Sequence, residues 1–586
     1  MKRNNIFRIK NILVLLTVLC FTGCTKLDEV VLDEVLGADA SNPAGALAAA
    51  YDRLGDRTFV DNGCVFSLQE YTTDEAMLPT RGSDWGDGGK WRSMHEFTWA
   101  ADNSIVTDNW NLLTNGITRS LTAINAISNS DLAEKTLYLA EAKGLLAYYT
   151  FSTLDLFNQS PYRDPSDPKA PLEIKQAPTA IDELIVEVEG LIPDLAKLGE
   201  QSTHNGRFTK EAAYGLLANM YLNRAVFKNR YAATFNFTEA AVSGSETDMD
   251  KVIYYTTLLI NNPKFKLNTN YFDNFAITNS GGSELIFAIV QKIDNVRNGD
   301  NDFAYTCMER NQRASPANRG TNASCTTPEF YYSWNGHHED PRFTRNYQYS
   351  DGTWFMNNAV GSVPATSIVA NSNNLPWFHF NRGMIAGPQY GPKLTAAGGF
   401  EMTSDGRIKV SELYMEKSST TKMDFTPELN FDIPGQSVFA QNQINQGVRV
   451  FKYEFDPEEG NGSSNVDIPL FRLGGIYTMR AEANFRKGLT AAALADINIL
   501  RTSRTRESLY ANAPGVALAS LDEATLYREI GFELYWEMYR RQQMIRFGKF
   551  DLAYTAKPVS DPFRRVFPIP QTTIDVTKDF VQNKGY

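Results

Sequence analysis

Apolar residues recur at intervals of three and four along much of this chain. From Asp108 to Ser128 they fall at Trp110, Leu113, Ile117, Leu121, Ile124 and Ile127, one stripe of a buried helix. Ala133 to Phe157 repeats the pattern and stops at Asn158-Gln159-Ser160-Pro161, a cluster that ends helices. Upstream, Asn42 suits a helix cap and Pro43 the first helical position, so a helix is expected within 39–55. Further helices are expected over Ile181–Leu198 (begun at Thr179, interrupted near Pro193), Thr209–Ala225 and Asp248–Asn261. Small residues along Thr209–Ala225 permit close helix approach. The period returns late in the chain, over Leu470–Arg486, Ala491–Ser503 and Leu521–Phe547.

Between roughly 281 and 465 the helical period fades, and Gly, Asn, Pro and aromatic residues rise. Only short strands are legible there, in Glu284–Val290 and Val448–Tyr453. Long loops in a compact protein usually carry function. The helices around this stretch come in pairs with short connections. Such pairs resemble tetratricopeptide units, without the strict Trp-Leu-Gly-Tyr pattern. The fold class expected is therefore mostly α: a tetratricopeptide-like helical-repeat scaffold with a long loop-rich segment and a few short strands. Within one domain over 39–586, about 39–280 is the first helical part, about 281–465 the loop-rich ligand face and about 466–586 the last helical part.

The first residues form a separate segment. Lys2, Arg3, Arg8 and Lys10 lead into an apolar run of about a dozen residues, too short for the roughly 20 that span a membrane. Residues 1–23 therefore read as a signal peptide. The run ends in Phe21-Thr22-Gly23-Cys24, which resembles a bacterial lipobox, so Cys24 is expected to be acylated and 24–38 to form the linker. Each buried acyl CH₂ adds about 0.8 kcal/mol, and firm anchoring takes more than one chain. Asp28 and Glu29 are similar to a signal for export to the outer face of the outer membrane.

Composition narrows the function. In 586 residues, 42% hydrophobic and 12% aromatic, a large core is available. A net charge of -11 with no basic run disfavours nucleic acid. Cys64, Cys307 and Cys325 lack metal-ligand spacing. One disulfide is allowed in an exported chain, and buried thiols are the default for the rest.

Several stretches resemble one family, SusD/RagB, outer-membrane lipoproteins that bind a nutrient and cap its transporter. Pro469–Gly488 is similar to the family's arginine followed by a helix ending in Ala-Glu-Ala and then Gly; Ala491–Arg504 resembles the next helix, with Asn498 and Arg501. Ile530–Gly548 resembles the family's Glu-Leu…Glu…Arg helix, with Met538 where Gly is usual and Gln543 where Asp is usual. Phe567-Pro568-Ile569-Pro570 and Gln582–Tyr586 resemble its terminus, with Lys584 for Pro; Glu141–Tyr149 also fits. On one helix, Glu533 and Glu537 share a face with Arg540, an arrangement expected to lock helix to helix. The resemblance implies no catalysis and no required cofactor, with a structural calcium left open. It implies three partners: an oligosaccharide, a SusC-like TonB-dependent transporter, and the outer membrane through lipid.

Sugar binding needs flat rings rimmed by amides and carboxylates. Asp74–His95 reads that way: Trp85 sits among Gly and Asp, a poor setting for a core residue, with Arg81, Asp84, Asp87 and Trp91 around it. In the family, the loop after this Asp-Glu commonly contributes a binding aromatic. Trp99 and Trp110 read as core. A second cluster is Cys307, Tyr331, Trp334, Trp354, Trp377, Phe378, His379, Arg382 and Tyr390, each alone better explained by packing than by binding, with a few expected to face the same surface as Trp85. Asp84, Asp87 and Glu75 also raise glycoside hydrolysis, which depends on carboxyl separations that sequence does not give. No Gly-x-Ser-x-Gly, His-Glu-x-x-His or phosphate loop is present. His337-His338 lacks an evident third metal ligand. A RagB-like peptide binder and a ligand-free structural lid are the alternatives on the same scaffold.

Overall fold

A computed structural model describes residues 42–82, 84–167, 169–291, 301–367, 376–418, 420–429, 444–457, 462–506 and 513–586. The signal peptide, Cys24 and the linker lie outside the described residues. Helix α1 (Pro43–Arg53) starts as its sequence directs, with the Asn42 side chain accepting from the Gly45 N–H. Helices α2 (Ser104–Ser128) and α3 (Lys135–Phe157) follow, α2 capped by Asn103. Then come α4 (Ala177–Leu191), α5 (Lys210–Lys228, capped by Thr209) and α6 (Asp248–Ile260, with a Thr247/Asp250 capping box). Helix α4 is shorter than its apolar run, because Pro193 cannot continue it.

Each of these helices packs on the next, and α1 also packs on α2. Glycines set the closest approaches: a Cβ on Gly144 of α3 would stand 2.2 Å from the Phe208 ring. The stack does not end at α6. Helix α7 (Leu473–Arg486) packs directly on α6, and α8 (Thr490–Ser503) and α9 (Glu523–Leu534) pack on α7. The helical array is therefore continuous in space but interrupted in sequence. The chain leaves after α6, forms the loop-rich segment and returns.

The neck of that excursion is a two-stranded antiparallel ladder, Leu285–Ile289 against Ile468–Arg472. All ten of its residues are buried. Beyond the neck, Arg382–Ile385 pairs with both Arg449–Phe451 and Thr344–Arg345. A small lobe has its own core of Tyr349, Phe355, Val363, Phe378, Phe400, Ile408 and Val410 around the sheet Tyr390–Pro392, Arg407–Glu412 and Gly361–Pro364. Trp99 and Trp110 are core residues, as their setting suggested. Cys64, Cys307 and Cys325 are buried free thiols.

One expectation is corrected. Leu521–Phe547 is two helices, α9 and α10 (Arg540–Arg546), separated by a corner at which Trp536 (φ 61°) and Met538 (φ 66°) are left-handed. Glu533, Glu537 and Arg540 therefore do not share a helix face. Arg540 instead pairs with Asp74 at 2.7 Å. Glu533 and Glu537 turn inward to Arg472, at 2.7 and 2.6 Å. Buried groups hold the corner: Glu75 accepts from the Trp536 N–H at 2.6 Å and Glu70 from the Met538 N–H at 2.5 Å.

These contacts belong to a buried charge network. Arg342 meets Asp340, Glu529 and Glu533; Arg504 meets Glu284 and Glu533; Arg501 meets Glu529 and Asp340; Lys452 meets Glu537. Arg472 completes it, and cations and carboxylates balance one for one. Burial alone raises the Glu533 carboxyl, but Arg504, Arg472 and Arg342 outweigh it and hold its pKa down to about 2. Glu533→Gln is expected to cost about 3–5 kcal/mol, because it strands buried arginines; denaturant melts measure this. Glu533's ordinary value is about 4.3, so its stabilisation is full above that pH and is lost as pH falls towards 2. Acid titration of Glu533→Gln should lack that component of the stability loss.

Candidate functional site

The corner positions a ligand face through Asp74 and Glu75. Asp74 is held by Arg540 and Glu75 by the Trp536 amide. The next residues, Ala76 and Met77, pair with Thr326 and Cys325. The chain then turns: Arg81 and Asp84 exchange both backbone hydrogen bonds, at 2.8 and 2.9 Å, around a left-handed Gly82. Trp85 follows with φ 60°, a conformation that bulky residues rarely hold. Such strain costs on the order of 1–3 kcal/mol and concentrates at working sites.

The Trp85 indole is partly exposed. Its Nε1 donates to the Thr321 carbonyl at 3.3 Å, and its ring meets Trp91 edge-on at 6.0 Å. Trp91 is the floor, 7% exposed and edge-on to Tyr71. The exposed Asp87 accepts from Trp91 Nε1 at 2.8 Å, and Lys90 stands 4.9 Å over the Trp91 ring. Asp84 is partly exposed and pairs with Arg310 at 2.9 Å and Lys417 at 2.6 Å. Arg310 also reaches Glu416, at 3.4 Å, and Arg319 pairs with the same carboxylate.

A second aromatic group, with Trp377 and Tyr347 partly exposed and His379 buried, lies against the 308–323 loop. Trp377, His379 and Tyr347 stack in a row, at 4.8 Å and 20° and then 3.8 Å and 5°. Trp377, His379, Asn381, Arg382 and Glu454 line a cleft that Met308 and Ala314 close from the loop side. Burial and then Arg382 push His379 down to about 3, so its ring stays neutral. His379 Nε2 has no hydrogen-bond partner among the described residues. The two aromatic groups thus flank one loop, whose Thr321 and Arg310 touch the Trp85 turn and whose Ala314 carbonyl accepts from the Phe378 N–H.

Several candidate residues lie beneath this face, not on it. Arg81 is 2% exposed, and its guanidinium donates to the Ala323 and Gln446 carbonyls. Cys307 is fully buried. Trp334 is fully buried too, stacked on Phe532 at 3.4 Å and 8°. The buried Arg382 donates to the Phe275, Phe451 and Lys452 carbonyls and pairs with Glu454 at 3.5 Å. Trp91 supports Trp85 from below. In each case the ring or guanidinium fills space or satisfies carbonyls that loops leave unpaired. Trp354 and Tyr390 are half-buried on strands of the small lobe, Trp354 opposite Gln348 and Tyr390 opposite Glu412. Glu75, raised to about 7 by burial with Arg540 opposing, lies in the core and not on this face. His95 lies in the short helix Lys90–Glu96 and is buried. Among the described residues, no three His, Cys, Asp or Glu side chains group as a metal site.

The charged loop residues Arg310, Arg313, Arg319, Glu416 and Lys417 escape a sequence reading. Asp84 and Arg310 are 226 positions apart, and no local pattern announces the pair.

Residues 283–561 match the model of the SusD family. The starch-binding protein SusD of Bacteroides thetaiotaomicron is 30% identical over 164 residues, a match that spans 25% of this chain and 27% of that protein. Among solved structures, a laminarin-binding SusD-like protein superposes over 93% of this chain and 99% of its own, with a TM-score of 0.61 and 16% identity. A SusD homologue from Bacteroides thetaiotaomicron gives 0.61 and 17%, over 93% and 97%. Surface glycan-binding protein A of the same organism, in complex with laminarihexaose, gives 0.58 and 16%, over 93% and 99%. At these identities the structures establish the fold.

Glycine relieves the left-handed strain at Trp85. Trp85→Gly is expected to be more stable than Trp85→Ala by about 1 kcal/mol, the reverse of an ordinary position. Paired denaturant melts of the two variants read this difference.

Proposed function

We propose that this member of the SusD family captures an oligosaccharide on the Trp85 face and passes it to a TonB-dependent transporter of the SusC type. One observation carries the reading: a large aromatic ring, half-exposed and held by a strained turn, stands within a rim of charged and hydrogen-bonding groups. A ring face offers apolar area to a sugar, and the rim orients its hydroxyls. The starch and laminarin bound by similar proteins support a glycan over a peptide. The chain acts as a binder, with no chemical step of its own. Lipid on Cys24 would hold it at the outer membrane, facing outward, as a lid on its transporter. The energy for uptake belongs to the transporter.

Trp85→Ala is expected to weaken oligosaccharide binding by about 1 kcal/mol or more, without lowering the melting midpoint. Isothermal titration against a glycan and peptide panel tests this. Unchanged affinity removes Trp85 from the site, and a peptide preference replaces the glycan reading. Pull-down from mildly solubilised membranes should recover a large outer-membrane barrel across an interface of roughly 2,000–5,000 Å².

A further inference from the structure

The corner between α9 and α10 rests on two carboxyls that are both fully inside the protein. Glu70 follows the short helix Val65–Gln69 and is 0% exposed; Glu75 is 1% exposed. Glu70 Oε1 accepts from the Met538 N–H and Glu75 Oε1 from the Trp536 N–H. Those two donors flank Glu537 on one left-handed corner, which brings the carboxyls side by side. The other Glu70 oxygen, Oε2, is buried and meets no donor among the described residues. The Glu75 carboxyl is its hydrogen-bonding neighbour.

The charged groups that face the pair have other partners. Arg540 of α10 gives its short contacts to Asp74, at 2.7 and 2.9 Å, and stands 3.9 Å from Glu75. Lys452 pairs with Glu537 at 2.5 Å and donates to the Tyr535 carbonyl. Tyr453 donates to the Trp536 carbonyl and Tyr527 of α9 to Asp74; burial keeps both phenols protonated. Two buried carboxylates in contact repel, and the repulsion raises them until one keeps its proton. A proton on Glu70 Oε2 removes the repulsion and gives that oxygen a bond to Glu75. Burial, and then Glu75, accordingly hold the Glu70 carboxyl well above the ordinary carboxylate range.

We propose that Glu70 and Glu75 share one proton at neutral pH, and that this proton latches the corner and the segment that leads from it to Trp85. Glu75 begins that segment, and its next residues Ala76 and Met77 pair with Thr326 and Cys325. Loss of the proton leaves two buried charges in contact and favours opening. A carboxyl raised in the fold stabilises it fully below its unfolded value of about 4.3, and that stabilisation is lost as pH rises through the raised value. The direction is the reverse of that at Glu533.

Amide hydrogen exchange of the full chain, corrected for its intrinsic pH dependence, reads the opening at Trp536 and Met538. Glu70→Gln keeps the shape: its carbonyl accepts from Met538, and its amide donates to Glu75 with no proton to lose. Between about pH 5 and 7 the opening constant of the native chain should rise about tenfold per pH unit relative to that of Glu70→Gln, the mark of one extra proton held. The amides of Ala76 and Met77 should follow. An infrared band of un-ionised carboxylic acid at pH 7 should be weaker in Glu70→Gln than in the native chain. Glu75→Gln, whose amide donates to an ionised Glu70, is the companion variant and carries the same expectations. Equal pH dependence in native and variant chains, or an infrared band that keeps its full strength, overturns the proposal. Opening at the corner that leaves Ala76 and Met77 unmoved overturns the latch.

Discussion

The buried charge network holds the scaffold and its insertion together. Its members come from every part that must meet there. Glu284 stands at the base of the neck ladder, and Arg472 at the ladder's end, where α7 begins. Arg342 and Asp340 come from the insertion, Arg501 and Arg504 from the end of α8, and Glu529 and Glu533 from α9. Replacing such a network with apolar residues is often neutral or stabilising, so its presence is weak evidence of added stability. Its geometric demand is the stronger fact. Each charge must find its partner from a distant part of the chain, so only one docking of insertion on scaffold satisfies them all. Apolar contacts alone would tolerate sliding.

That docking reaches the ligand face through the broken helix. A continuous helix from α9 to α10 would leave no free N–H at Trp536 or Met538. The break frees both, and Glu75 and Glu70 take them. The two carboxyls lie so close that burial, and then Glu75, raise Glu70 well above its ordinary value. Glu75 in turn begins the segment that pairs with Cys325-Thr326 and runs to the Trp85 turn. A buried interaction at the corner thus fixes the start of an exposed loop. The strain at Trp85 persists because both ends of its turn are held, by Arg81 beneath and by Asp84 in its ion pairs.

The helical part of this arrangement was legible because it is local. Apolar spacing and capping residues such as Asn42 act within a few positions, and the structure follows them closely, although the helix read from Asp108 begins earlier, at Ser104 behind an Asn103 cap. The one helix misread, Leu521–Phe547, had the right period throughout. Nothing within that stretch shows that Glu75 and Lys452, hundreds of positions or dozens away, would bind its backbone and make the break favourable. Met538 in place of the family's glycine was the only hint, and its left-handed φ gives that position its meaning. The partial exposure of Trp85 was legible, since an indole among Gly and Asp has no apolar neighbours in sequence to pack on. The burial of Arg81, Trp334 and Arg382 was not legible. Loops without helix or ladder partners leave buried carbonyls and voids, and large side chains from far away fill them. An aromatic or arginine in a loop is thus ambiguous until its neighbours are known.

The same ambiguity explains why the candidate face is built from two layers. Buried Arg81, Arg449 and Arg382 satisfy the carbonyls that irregular backbone leaves open. Arg382 also lines the Trp377 cleft and pairs with Glu454 at 3.5 Å, while Arg81 and Arg449 place positive charge under the loops. Partly exposed Trp85, Trp377 and Tyr347 then present rings above that floor. Scaffolding a loop-rich face with arginine therefore has an electrostatic consequence at its surface. Solvating water screens the outer ion pairs, so those contribute little to stability and can exchange partners. The buried charges are not screened in that way. The residues that hold the loops in place thus also set part of the charge that lies beneath the rings.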